Sequence, residues 1–172
     1  MTKTLILALC LGVIFPLSAV AESLAQFEGA IGVIPVSSAA GAPNLDGTFP
    51  NVNRNVVRGV NPPGQIWVIA GLSADVEFGG RITVDGRGLL LGGGNNIGTN
   101  GNQSVRATLI CGAAAPFTLH DSGLVPLEPN GDFQIDDRLS PAPPNSCVAP
   151  VLLIRNPAGS WFAAGIPNLG RR

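Results

Sequence analysis

The chain has 172 residues and carries 10 basic and 11 acidic side chains, which gives a formal net charge of −1. This length corresponds to about one domain, and a domain of this size can bury enough surface to form a core. The basic residues form no cluster. Because nucleic-acid binding relies on Lys and Arg to neutralise phosphates, a nucleic-acid partner is not expected.

The first segment, residues 1–21, has the pattern of a secretory signal peptide. Lys3 provides a positive start, residues 5–15 are mostly apolar, and residues 19–21 form a small-x-small cleavage motif. The apolar run is shorter than the roughly 20 residues that a membrane-spanning helix needs; a membrane anchor is the alternative. We expect cleavage after Ala21, export to the periplasm or the medium, and no membrane span in the mature chain.

Residues 22–63 follow, and much of this segment is rich in Pro, Asn, Gly and Ser. This composition is typical of turns and extended linkers, so we predict an extended arm with one short strand within residues 30–36. Residues 64–172 form the predicted β-sandwich domain, because strand patterns follow one another there at short intervals. No segment of the mature chain shows the sustained apolar spacing of a helix.

The strongest strand signal lies in residues 74–85, where apolar residues hold even positions and polar or charged residues hold odd positions. A two-residue hairpin turn at the two glycines in this segment would mix the two faces. The pattern therefore predicts either one long strand that bends at the glycines, which we prefer, or a three-residue loop that pairs Phe78 with Ile82.

Five further segments have strand patterns. Residues 149–155 are apolar on both faces and predict a central, fully covered strand, whereas residues 92–104 are rich in Gly and Asn and predict a long loop. The other strand segments are residues 66–70, 104–111, 131–139 and 160–166. We expect an all-β fold, an antiparallel β-sandwich of about seven to nine strands that is immunoglobulin-like or transthyretin-like.

The single histidine, His120, is followed by Asp121 and Ser122, so the three residue types of a hydrolytic triad are consecutive in the sequence. Neighbouring side chains of an extended strand point to opposite faces, so His120 and Asp121 would not face one substrate. The chain also has no G-x-S-x-G motif. His120 shares the parity of Thr118, opposite the apolar Leu119, which predicts a solvent-exposed side chain without a catalytic role.

Three carboxylates are the candidate binding residues, namely Asp132, Asp136 and Asp137. Asp137 falls on the apolar parity of its strand. Because an unpaired buried charge is strongly disfavoured, Asp137 should end the strand or have an Arg or backbone N–H partner. A local cap or ion pair is the structural interpretation. A calcium site is the alternative, although the D-x-[DN]-x-[DN]-G pattern is missing, and the scarcity of aromatic residues argues against a glycosidase pair.

Cleavage of the signal peptide would remove Cys10 and leave Cys111 and Cys147. An even number of cysteines in an exported chain predicts one disulfide between them. Two cysteines and one histidine are too few for a typical zinc site of four ligands. The glycine-rich stretches lack the complete motifs for dinucleotide or P-loop binding, so neither a metal nor a cofactor is expected.

Several stretches across the mature chain read FEGAIGVIPVSSAAGAPN, GRGLLL, GDFQIDDRLSPAPPNSC, PVLLIRN and WFAAGIP. They resemble a family of small exported bacterial proteins known mainly as uncharacterised sequences. The resemblance covers nearly the whole mature chain and implies a bacterial origin and export. It implies no activity, cofactor or ligand.

These patterns favour an exported, non-catalytic binding or structural module whose partner is an unknown protein or surface ligand. One alternative is a subunit of a cell-surface assembly, in which the arm or an exposed sheet edge pairs with another chain. The other alternative is a secreted hydrolase built on His120 or on the three aspartates.

Overall fold

The computed structural model describes residues 22–38, residue 45 and residues 52–169. The predicted signal peptide and part of the predicted arm lie outside these described residues. Each regular element within them is a β-strand, and none of them forms a helix able to cross a membrane. The strands are β1 (Ser23–Gly32), β2 (Val36–Ser38), β3 (Val52–Arg54), β4 (Trp67–Val68), β5 (Gly71–Glu77), β6 (Arg81–Arg87), β7 (Leu90–Leu91), β8 (Ser104–Cys111), β9 (Thr118–Asp121), β10 (Val125–Pro126), β11 (Phe133–Arg138), β12 (Val151–Arg155) and β13 (Trp161–Pro167).

Nine of these strands form one antiparallel sheet. The order across the sheet is β10-β8-β12-β13-β1-β5-β6-β11. Strand β9 also pairs with β8, along the edge that faces away from β12. Two small pairs, β2–β3 and β4–β7, stand apart from this sheet.

The sheet curls strongly into a half-barrel, which brings its two edges near each other. Asp121 and Ser140 join the edges through two backbone hydrogen bonds of 3.0 and 2.8 Å. The predicted all-β antiparallel fold is confirmed. A sandwich of two packed sheets is not confirmed, because the hydrogen-bonded ladder continues through a single curled sheet.

The alternation in residues 74–85 is confirmed as a burial pattern, since side chains at even positions of β5 and β6 are buried. The pairing differs from both sequence alternatives, because Val76 pairs with Ile82 and residues 78–80 form a three-residue loop. Phe78 therefore leaves the ladder and is 45% exposed. The two glycines of the loop adopt positive φ angles of 84° and 86°, which glycine tolerates without steric cost.

Strand β1 is an inner strand of the sheet, where the sequence pattern predicts an arm with one short strand. It pairs with β5 on one side and with β13 on the other. Ala25 and Phe27 are buried, whereas Gln26 and Glu28 are exposed. This alternation is typical of a strand with one face on the core.

Residues 54–62, which we call the cover segment, lie beside β9 and β12, since residues 58–61 line a cavity together with Leu119 and Arg155. Arg58 anchors this segment by donating from Nη1 to Ile110 O at 2.9 Å and from Nη2 to Ala149 O. Nearby, the rings of Trp67 and Phe162 stack with centroids 4.0 Å apart. With both faces covered, β12 is the central, fully covered strand that its sequence predicts. Its three fully buried residues are Leu152, Leu153 and Ile154.

Candidate functional site

A disulfide joins Cys111, the last residue of β8, to Cys147 in the loop before β12. Their Cα atoms are 4.9 Å apart, and 36 positions separate them in sequence. The predicted pairing is confirmed. A backbone hydrogen bond of 2.8 Å from Gly112 N to Val148 O lies beside the disulfide, so the loop is fixed against the end of β8.

His120 is buried, and the prediction of an exposed side chain is wrong. Its cross-strand partner in β8 is the fully buried Leu109, and paired residues direct their side chains to the same face of a sheet. His120 consequently lies on the core face, with 4% of its surface exposed. Its Nδ1 lies 2.8 Å from Pro141 O, and its Nε2 lies 3.1 Å from Thr118 Oγ1.

The adjoining His120, Asp121 and Ser122 do not form a hydrolytic triad. Asp121 lies on the face opposite His120, as expected for an extended strand, and accepts a hydrogen bond of 2.6 Å from Thr108 Oγ1. Ser122 Oγ accepts from Ala107 N at 3.0 Å and donates to the next carbonyl at 2.9 Å. Each side chain is bonded to separate partners, whereas a triad needs the nucleophile bonded to its base.

Asp132 and Asp136, two of the predicted binding residues, lie in different surroundings. Asp132 accepts from Gly88 N and from Asn130 Nδ2, both at 2.9 Å, and thereby stabilises the turn before β11. Asp136 forms an exposed ion pair of 3.1 Å with Arg81. Within residues 22–38, 45 and 52–169, no group of three or more His, Cys, Asp and Glu residues is placed to hold a metal ion.

Asp137 is capped by backbone N–H groups. Its Oδ2 accepts from Gly123 N and its Oδ1 accepts from Arg138 N, both at 2.7 Å. These hydrogen bonds, with that from Gly123 first, hold the pKa of the Asp137 carboxyl below its ordinary value. The side chain is exposed in spite of its core parity, because β11 ends one residue later.

The two edge strands β10 and β11 come close to each other without pairing. The seam between them is closed at one end by the bridge between Asp121 and Ser140. At the other end it is closed by a hydrogen bond of 2.9 Å from Glu128 N to Asp132 O. Between these two points β10 and β11 are not paired along their backbones, although the Asp137 carboxylate accepts a hydrogen bond from Gly123 N there, so the curled sheet is left open along a short stretch.

Backbone groups of Pro126 and Gln134 face this open stretch. Leu127 N donates to Gln103 O in continuation of the β8–β10 ladder, and Leu139 N donates to Gly80 O in continuation of the β6–β11 ladder. Because hydrogen bonding alternates along antiparallel strands, Pro126 and Gln134 turn their backbone groups toward the seam. Proline has no N–H to donate, which explains in part why the seam stays unpaired.

A groove of about 620 Å³ opens over the seam. Its walls combine apolar side chains with three carboxylates and one guanidinium, so that its charge is negative. The lining residues are Asp85, Gly86, Arg87, Val125, Pro126, Glu128, Asp132, Phe133 and Gln134. Arg87 Nε lies 3.0 Å from Asp85 Oδ1, and this hydrogen bond holds the pKa of the Asp85 carboxyl below its ordinary value.

Sequence patterns single out only Asp132 among the residues of this groove. A usable second signal was Pro126 within a short apolar run, because Pro in a strand marks an edge. The residues of β6 and β11 meet because these strands pair, whereas Val125 and Glu128 reach them only because the sheet curls, and local sequence carries no sign of that closure.

Comparison of the chain with protein-family models, with curated proteins and with solved structures found no match. The groove is therefore interpreted from its own residues and their chemistry.

Proposed function

We propose that the chain is an exported, non-catalytic binding module and that the groove over the β10–β11 seam is its binding site. The observation that carries this proposal is the groove itself, whose volume of about 620 Å³ lies within the usual range of ligand pockets, about 300–1,000 Å³. The described residues of its lining offer carboxylates and an amide but no Ser, Cys or His nucleophile, which favours binding over hydrolysis.

The proposed ligand is a basic peptide segment of a partner protein. Three carboxylates against one arginine give the lining an excess of negative charge, which attracts Lys or Arg side chains. Glu128 is exposed, and its carboxylate has no hydrogen bond within the described part of the chain, so it is available to a ligand. The peptide group of Gln134 faces the seam and offers a donor and an acceptor to the ligand's backbone.

Fluorescence anisotropy with a labelled hexapeptide of alternating Val and Lys tests this proposal. We expect saturable binding that weakens about tenfold or more in Glu128→Lys, because one attraction becomes a repulsion. Glu28→Lys is the matched control, since Glu28 is also exposed but lies on β1, outside the groove lining. The proposal fails if the peptide does not bind, if a Val–Glu hexapeptide binds equally well, or if both variants lose the same affinity.

Export is part of the same proposal. The disulfide between Cys111 and Cys147 supports a location outside the cytosol, because such bonds persist in oxidising compartments. Cell fractionation with N-terminal sequencing should give a chain that begins at Glu22 in the periplasm or medium. A full-length chain with two free thiols in the cytosol would contradict this location.

A second function, as a subunit of a surface assembly, is favoured by one exposed apolar patch. The hydrogen bond of 3.1 Å from Trp67 N to Val33 O holds the two segments of this patch together. Its members are Ile31, Ile34, Ile66 and Val68, each at least 40% exposed. Contiguous exposed apolar surface often marks a protein contact. Light scattering on the mature chain tests this function: an oligomer that Ile34→Asp converts to a monomer supports it, and a monomeric wild type rejects it.

A further inference from the structure

A group of charged side chains lies on the outer face of β8, β9 and β12, away from the groove. Arg106 and Arg155 are direct cross-strand partners, and like charges at such positions repel each other. Among the described residues, Asp121 is the one carboxylate that reaches both, at 3.3 Å from Arg155 Nη1 and 3.6 Å from Arg106 Nη1. Two arginines therefore share one compensating negative charge.

The side chains that carry this excess positive charge have little contact with water. The exposed fraction is 14% for the Arg155 side chain, 26% for Arg106 and 30% for Asp121. Arg106 Nε is buried and has no hydrogen-bond partner among the described residues. Because desolvation makes an unpaired charge costly, the net positive charge here calls for a further anion.

A cavity of about 320 Å³ lies against this group. Arg155 and Arg58 both line it, and none of the described lining residues is acidic. The Arg58 guanidinium donates to two neutral carbonyl groups and lies 5.2 Å from the ring centroid of Phe117, so no carboxylate of the described residues compensates its charge either. Within the described part of the chain, the three arginines around the cavity are balanced by Asp121 alone.

The remaining walls of the cavity explain what kind of anion would fit. Val60, Leu119 and Ala158 supply apolar surface, and Ser160 adds a hydroxyl group. Arg155 Nε donates to Gly159 O at 3.0 Å and its Nη1 to Asp121, which holds the guanidinium in a fixed orientation. Its Nη2 has no hydrogen bond to a described residue, and it lies 2.9 Å from the point that a Cβ at Gly159 would occupy.

We propose that this cavity binds a small organic anion with a carboxylate or phosphate head group. The planar fork of Arg matches both groups in geometry, and an oxyanion next to Arg155 would compensate the excess positive charge. The apolar wall would contact the uncharged part of the ligand. This site is separate from the proposed peptide groove and does not depend on the function proposed for it.

Thermal denaturation in different anions, at equal ionic strength and pH, tests the proposal. We expect inorganic phosphate, or acetate as the carboxylate probe, to raise the melting temperature above that in chloride. For a domain of this size the rise is about 3–6 °C at ten times the dissociation constant. A rise with only one of the two probes identifies the head group, and the absence of a rise with both overturns the proposal.

A matched pair of variants at Ala158 ties the effect to this cavity. Ala158 is exposed and lines the cavity, so Ala158→Glu would place a carboxylate beside the arginines, while Ala158→Gln has the same shape without the charge. We expect Ala158→Glu to melt higher than wild type in chloride and to lose the anion-dependent rise. Ala158→Gln should not melt higher in chloride, and Ala142→Glu, at an exposed alanine outside the cavity lining, should keep the anion-dependent rise. An equal anion-dependent rise in the two Glu variants would overturn the proposal, because the anion would then bind elsewhere.

Discussion

The two halves of the curled sheet differ in how far their charged side chains are exposed to solvent. On the outer face of β5, β6 and β11, the pair Arg81–Asp136 lies in solvent, with side chains 50% and 66% exposed. On the outer face of β8, β9 and β12, the side chains of Arg155 and Asp121 are only 14% and 30% exposed, because the cover segment lies nearby. We call these two regions the solvent half and the covered half.

The difference shows where charge contributes to stability and where it is available for binding. Exposed ion pairs are hydrated and contribute little, so the solvent half can change its charges at little cost to folding. A partly buried charge that loses its partner is costly, so charges in the covered half are constrained. The proposed peptide groove lies at the edge of the solvent half, where acidic residues such as Glu128 are free to meet a partner.

The largest effect is expected from the disulfide, which fixes the end of the covered half. Replacing Cys111 and Cys147 together by Ser opens a loop of 36-residue separation and should lower the free energy of unfolding by about 2–4 kcal/mol, with loop entropy as the upper limit. Urea denaturation measures the loss. Reductant should shift the wild-type midpoint and leave the double variant unchanged; equal midpoints for oxidised and reduced wild type would contradict this expectation.

Asp121 should give the next largest effect. Asp121→Asn removes the charge shared by Arg106 and Arg155 and should cost about 2–3 kcal/mol, less than for a fully buried pair because of the remaining exposure. Asp136→Asn in the solvent half is the control and should cost under about 0.5 kcal/mol. If urea midpoints fall equally in the two variants, the contrast between the halves is wrong.

His120 should matter for stability although its sequence pattern predicts an exposed, dispensable side chain. His120→Ala leaves a gap on the core face and removes the partner of Pro141 O, which should cost about 1–3 kcal/mol. Gln134→Ala serves as the exposed control. An unchanged urea midpoint for His120→Ala would show that the ring is not held in the core.

The smallest effect concerns Asp137 and depends on pH. Its pKa is depressed by the N–H groups of Gly123 and Arg138, so its contribution is present above the ordinary carboxyl pKa and is lost as pH falls through the depressed value. At pH 7, Asp137→Asn should cost about 0.5–1 kcal/mol, a figure reduced for exposure. The difference from wild type should shrink below about pH 4; a difference that stays constant with pH would exclude the carboxylate as its cause.

The sequence patterns predict well what depends on local alternation. The faces of β5 and β6, the bounds of β8, the buried run of β12 and the disulfide all follow from parity, apolar content and cysteine count. A period of two tells which side chains share a face, and burial of one face fixes the register.

The patterns fail where contacts distant in sequence decide the outcome. Parity places His120 and Leu119 on opposite faces of the strand but does not tell which face the sheet curls around. The sequence pattern therefore assigns His120 to solvent, whereas its side chain lies on the core face. The alternation of Ala25 and Phe27 is typical of a strand, but the Pro- and Asn-rich composition of the stretch that follows favours an extended arm for the whole segment. The groove and the arginine cavity cannot be predicted from local sequence, because both form only when segments distant in sequence come together.

The most direct test of the central claim is an NMR titration of the labelled protein with the alternating Val–Lys hexapeptide. If the seam groove is the binding site, the largest amide shifts will fall on Gln134, Val125 and Arg87, which line it, while Arg155 in the covered half stays unchanged. The claim is contradicted if saturating peptide leaves the three groove amides in place, or if the largest shifts map to another surface.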